Sequence, residues 1–276
     1  MKRLIVTADD FGLAPEVNNA VEIAHQRGIL TAASLMVTGP AAHDAIARAE
    51  KMPRLRVGLH VVLVEGRPTL PPERVPGLVN GKGVFRTDMA RLGIDIALRS
   101  DLRRQLRAEI EAQFVAFRSS GLRLDHVNAH KHFHLHPMIA TEIMAIGARH
   151  GMRGLRVPRE PASVLTSVEP EAPRAPAWVT APWAALLERR ARRAGLQTPD
   201  AVFGLAWSGA MTTSRLLGLL QHLPEGRSEI YLHPATTDDF AGHAPDYRYA
   251  EELAALISPH VIVATRDLQL GGYADF

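Results

Sequence analysis

The 276-residue chain contains no cysteine. Disulfides, thiolate metal sites and cysteine nucleophiles are therefore excluded, and any metal must be held by oxygen and imidazole nitrogen. Long apolar runs are also missing: no stretch approaches the roughly 18 to 20 residues of a membrane-spanning helix. The run after Met1-Lys2-Arg3 is too short for a secretory signal, and Asp9-Asp10 would interrupt one. A soluble cytoplasmic protein is expected, with contact at the inner membrane surface left open. No charge of one sign dominates. Lys and Arg total 32 against 29 Asp and Glu, a net +3, so no nucleic-acid partner is expected. Internal repeats are absent too. What remains is an ordinary globular composition, 46% hydrophobic and 22% charged, in a chain long enough to bury a sizeable core.

Strand-like and helix-like segments alternate along it. Leu4-Ile5-Val6-Thr7-Ala8 reads as a buried parallel strand ending at Asp9-Asp10. A helix follows, with Pro15 early, Val17, Ala20, Val21 and Ala24 on one face, and a stop at Gly28. Further strands are predicted at 33–37, 56–62, 122–129, 155–158, 228–232 and 261–264. Helices are predicted at 41–49, from Ser100 to Gly121, and from Pro137 to Gly151. Residues 65–95 read as an irregular loop. Residues 159–203, rich in Pro, Ala and Arg, read as an insertion with one or two helices. The βα alternation predicts one α/β domain over residues 1–276 with a parallel sheet. An open sheet and a closed barrel both fit. Asp9, Asp10, His60, His130 and His233 fall at the carboxyl ends of strands far apart in sequence. A (β/α) barrel, distorted or short of eight strands, brings those ends to one mouth.

Two adjacent carboxylates repel, and each resists burial without compensation. With histidines nearby, a divalent cation is the expected compensation. Five histidines, His126, His130, His132, His134 and His136, occupy eleven residues at one parity. Not all can bind one ion, and those past Ala129 are expected to leave the sheet as substrate contacts or surface groups. One Asp with two His makes a facial set with open positions, suited to zinc or another divalent ion. Such an ion polarises a carbonyl and makes a bound water acidic. The spare carboxylate can take the water's proton, and His233 can protonate a leaving group.

Thr7-Ala8-Asp9-Asp10-Phe11-Gly12-Leu13, Gly58-Leu59-His60, the histidine-rich run and His233-Pro234-Ala235 together resemble the YdjC-like carbohydrate deacetylase family. That family includes chitooligosaccharide deacetylases. The resemblance runs from residue 3 to about 270. It implies a distorted TIM-like barrel and hydrolysis of an N-acetyl group from an amino sugar. It also implies Asp10, His60 and His130 as ligands of one divalent ion, zinc or magnesium. Asp9 would be the general base and His233 the acid. Arg156, His132 and His134 are candidate substrate contacts; Arg156 can alternatively orient a carboxylate. Asn128 stands where the family has a carboxylate, and Lys131 adds a charge.

This variant run, with the insertion, is most similar to the hopanoid-biosynthesis-associated branch, which implies an N-acetylglucosaminyl group on a glycosylated hopanoid lipid. Trp178 and Trp183 would give apolar contact, and Arg189, Arg190, Arg192 and Arg193 would meet anionic headgroups in a peripheral membrane contact. The alternatives are a chitooligosaccharide deacetylase, a non-haem iron oxygenase, or a glycan- or lipid-binding protein without catalysis. The composition leaves a homodimer open.

Overall fold

The computed structural model describes residues 1–172 and 177–276, with side chains from residue 181 onward in the second stretch. In chain order the elements begin β1 (Lys2–Phe11), α1 (Pro15–Arg27), β2 (Ala32–Leu35), α2 (Ala42–Glu50) and β3 (Arg56–Val61). Then come α3 (Met89–Leu98), α4 (Ser100–Ser119), β4 (Val127–Ala129), α5 (Pro137–Arg149), α6 (Ala162–Val168) and α7 (Ala177–Arg193). The chain continues with β5 (Ala201–Phe203), α8 (Thr213–His222), β6 (Gly226–Leu232), α9 (Tyr249–Leu256), α10 (Pro259–Ala264) and β7 (Gln269–Leu270).

The strands form one parallel sheet in the order β4-β3-β2-β1-β6-β5, with β7 beside the lower half of β1. This arc is the wall of a distorted (β/α) barrel. Its edges approach through the extended segment at 154–159. Leu155 bridges Val127 of β4, the Leu155 N–H donates to Gln197, and the Val202 N–H of β5 donates to Arg159. The strand expected at 155–158 is thus present only as isolated bridges.

Strand alternation sorts the two faces. Leu4, Val6 and Ala8 of β1, Leu59 and Val61 of β3, and Ile230 and Leu232 of β6 join the apolar core beneath the helices. The opposite parity lines the barrel interior and is largely polar: Thr7, Asp9, Ser34, His60, His126, Asn128 and Glu229 are all buried. A polar interior of this kind must be internally hydrogen-bonded, and these side chains bond to one another.

Several expectations change. The loop expected over 65–95 gives way to α3 at Met89, and the strand expected over 122–129 is confined to β4. The segment at 261–264 is not a strand but part of α10. Pro259 at the first turn starts a helix, and a short apolar run alone cannot separate strand from helix. The 159–203 stretch holds α6 and α7, but its end, β5, belongs to the sheet. The expected apolar contact of Trp178 lies outside the described residues.

Candidate metal centre and active site

Asp9 and Asp10 lie inside β1 rather than past its end, since the strand runs on to Phe11. Adjacent strand residues point to opposite faces, yet both acids face one cleft. A register shift between Ala8 and Phe11 and a left-handed backbone at Asp10, φ 61°, reconcile the two. An unbranched Asp tolerates that conformation at modest cost, and such strain concentrates at functional sites.

Asp10 Oδ1 lies 3.2 Å from His60 Nε2 and 3.2 Å from His130 Nδ1. Among the described residues it is buried without a hydrogen-bond partner, because neither contact has hydrogen-bonding geometry. Asp10, His60 and His130 each offer one atom, and these atoms lie within 4.8 Å of one another. A buried carboxylate oxygen without a donor, facing two imidazole nitrogens, fits a divalent cation. The set is oxygen and nitrogen only, as a cysteine-free chain requires.

Asn128 sets the orientation of this group. Its Nδ2 donates to Asp9 Oδ1 at 2.9 Å, which turns its Oδ1 toward His60 Nδ1 at 2.8 Å. His60 therefore donates from Nδ1, which leaves Nε2, 3.4 Å from His130 Nδ1, as an acceptor at the centre. A carboxylate at 128 would face Asp9 with like charge; the amide accepts on one side and donates on the other.

Asp9 is held from a second side. Arg156 Nη1 donates to its Oδ2 at 2.5 Å and Nη2 to its Oδ1 at 3.0 Å. Burial alone would raise the Asp9 pKa, but the Arg156 guanidinium and His60 hold it far below the usual carboxylate range. Oδ1 accepts two hydrogen bonds and Oδ2 one, which leaves Oδ2 with a spare lone pair.

The cleft above these groups has a volume of about 870 Å³. His132, Tyr231 and His233 also line it. Burial lowers the His233 pKa, and the charges of Asp10 and Asp9 partly restore it. The His233 backbone N–H donates to Glu252 at 2.5 Å.

The histidine run divides between the sheet and a turn beyond it. His126 and His130 face inward with Asn128. Lys131 and His132 are both left-handed, φ 53° and 54°, and turn the chain off the sheet. His132 returns to the cleft wall, its Nε2 2.9 Å from the Tyr231 hydroxyl. His134 is fully buried, with Nε2 bonded to the Arg156 carbonyl, and burial lowers its pKa to about 4. His136 packs against Gly93 of α3. Of the three expected substrate contacts, only His132 reaches the cleft. Arg156 and His134 are both fully buried, so the expectation that they touch substrate does not hold. Arg156 takes the alternative role of orienting a carboxylate.

Glu229 and Tyr231 were not among the sequence candidates. Their signal was available: they alternate with His233, so they share its face of β6.

Comparisons with known proteins add an independent line. The family profile described as YdjC-like protein matches residues 3–266. A carbohydrate deacetylase of Geobacillus stearothermophilus is 33% identical over 99% of this chain and 97% of its own length. A chitooligosaccharide deacetylase of Serratia marcescens is 33% identical over 58% of this chain and 61% of its own. A crystal structure from Enterococcus faecalis V583, provisionally described as a cellobiose-phosphate cleavage protein, superposes with a TM-score of 0.74 at 25% identity. It covers 99% of this chain and 98% of that one.

Proposed function

Because this chain belongs to the YdjC-like protein family, we propose that it is a metal-dependent carbohydrate deacetylase. Its reaction is hydrolysis of the N-acetyl group of an N-acetylglucosamine-type sugar. The observation that carries the reading is the unsatisfied Asp10 Oδ1 between His60 Nε2 and His130 Nδ1, beside the separately held Asp9. Asp10, His60 and His130 would hold one divalent ion, and two imidazoles favour zinc over magnesium. When bound, the ion polarises the acetamide carbonyl and makes the attacking water acidic.

The chain's own residues supply the proton transfers. Asp9 takes the water's proton through the spare lone pair of Oδ2. A weak base suffices where the water is already acidic. Arg156 and Asn128 keep the carboxylate from rotating toward the cation, so that it serves as base rather than ligand. His233, across the cleft, gives a proton to the departing amine nitrogen; burial disfavours its protonated form, and the charges of Asp10 and Asp9 favour it. The new C–O bond and the broken C–N bond leave acetate and the free amino sugar.

For the sugar's carrier we propose a glycosylated hopanoid lipid. The support is the exposed face of α7. Trp183 and Leu186 are 46% and 39% exposed, and Arg189 and Arg193 follow on the same side at helical spacing. Apolar residues beside cations suit the boundary of an anionic membrane. The test is acetate release from N-acetylglucosaminyl bacteriohopanetetrol beside chitobiose, using zinc-loaded protein. Release from the lipid alone supports the hopanoid reading. Release from chitobiose alone makes the protein a chitooligosaccharide deacetylase. Release from neither, with metal bound, counts against deacetylation of both classes.

A further inference from the structure

Below the metal centre, a continuous line of buried hydrogen bonds runs down the barrel axis. Arg156 uses one edge of its guanidinium for Asp9 and another for Glu229, with Nε 3.1 Å from Oε2 and Nη2 2.8 Å from Oε1. Glu229 also accepts from the Thr7 hydroxyl at 2.7 Å and from the Tyr273 hydroxyl at 2.6 Å. Arg156, Glu229 and Tyr273 are all fully buried. Four donors fix the Glu229 carboxylate, and the carboxylate in turn fixes the plane of Arg156.

Tyr273 comes from outside the sheet. It belongs to a short turn, Tyr273–Asp275, in the segment at 271–276 that closes the barrel floor. This segment is tied down at several points. Asp125 accepts the backbone N–H groups of Tyr273 and Ala274 at 3.1 and 3.0 Å. Asp275 makes a two-point pair with Arg56 at 2.9 and 2.5 Å. The Tyr273 ring stacks on His126, 4.8 Å between centroids and 16° between planes. Gly154 makes room for that ring: a Cβ there would meet Tyr273 Cδ1 at 2.6 Å.

We infer that Tyr273 is a positioning residue for the catalytic base. Its hydroxyl sets Glu229, Glu229 sets Arg156, and Arg156 sets Asp9. The floor segment thereby completes the active site from the end of the barrel opposite the cleft. Tyr273 touches neither substrate nor metal. The catalytic consequence rests on the reading of Asp9 as base, whereas the mechanical coupling to Arg156 does not.

The test compares zinc-loaded wild type with Tyr273→Phe and Gly154→Ala. The first removes only the hydroxyl and keeps the stacked ring. The second keeps every hydrogen-bonding group but displaces the ring that carries the Tyr273 hydroxyl away from Glu229. Both should lose about tenfold in kcat, because small misplacements of a base are costly. KM and zinc stoichiometry should stay at wild-type values, which a general loss of structure would not allow. Without substrate, the Arg156 Nε–H NMR signal, assigned with Arg156→Lys, should shift in both variants. Wild-type kcat with an unshifted Arg156 signal overturns the inference, as does a kcat loss that tracks loss of zinc. If wild type releases no acetate at all, the deacetylase reading falls, and the Arg156 signal still decides whether the floor is coupled to the site.

Discussion

The two ends of the barrel each hold an Asp and His cluster, and the two behave in opposite ways. At the cleft, Asp10 Oδ1 faces His60 and His130 with no hydrogen bond. At the floor, Asp125 Oδ2 is 3.0 Å from His126 Nδ1, and His126 Nε2 is 3.0 Å from Ser34 Oγ. The floor groups match a Ser-His-Asp triad in residue type and bonding. They are nonetheless buried beneath Tyr273, and each has its partners. A nucleophile without access to substrate is a structural network. The difference teaches that residue type does not make a site. An unsatisfied carboxylate oxygen at an open cleft does, and saturated groups at a sealed floor hold the wall together.

The comparison breaks most sharply at the cleft. Asp10→Ala should abolish tight zinc binding and lower kcat/KM by on the order of 10⁴-fold, read by metal analysis with acetate release. Asp9→Asn should separate base from ligand. It should keep the metal but lose on the order of 10³-fold in kcat; full activity in that variant would remove Asp9 from the mechanism.

A third contrast is in pH. Glu252, under His233, has no ion pair among the described residues, and burial raises its pKa to about 7 despite two backbone donors and the charge of Arg248. Its folded pKa lies above its unfolded one, so its stabilising effect is full below about pH 4.5 and is lost as pH rises through 7. The loss amounts to about 3 kcal/mol. Asp125 runs the other way. Burial would raise its pKa, but hydrogen bonds from His126 and two backbone N–H groups lower it. Its contribution is present above the usual Asp pKa and fades in acid. Urea unfolding of wild type and Glu252→Gln between pH 4.5 and 7.5 should show the decline only in wild type.

Asn128→Leu should weaken zinc binding by about 10- to 100-fold, because His60 loses the acceptor that fixes its tautomer. Titration with a competing chelator measures this. The smallest effect belongs to the floor. Ser34→Ala should leave kcat unchanged and cost about 1 kcal/mol of stability. A large loss of acetate release in Ser34→Ala would contradict the assignment of that cluster as structural.

Much of the site was legible because strand ends and parity are local signals. The apolar run before Asp9-Asp10, the short strand ending in His60 and the inward parity of Asn128 and His130 place the cleft from sequence. The left-handed turn at Asp10 was not legible. It arises from a bulge against β2, and nothing in Asp-Asp itself reports it. The function of Arg156 was open for a similar reason: its partners Asp9 and Glu229 are 147 and 73 positions away. Tyr273 lies 44 positions from Glu229, in a segment without strand or helix periodicity, so only the folded chain joins them. The apolar run at 261–264 was misread because four residues cannot show a period, and Pro259 was the better clue.

Equilibrium zinc binding tests the metal centre most directly. Chelator-stripped wild-type protein and its Asp10→Ala and His60→Ala variants would be titrated with zinc under one set of conditions. One tightly bound ion per wild-type chain, and none in either variant, is the predicted result. Equal stoichiometry and affinity in all three proteins would contradict it.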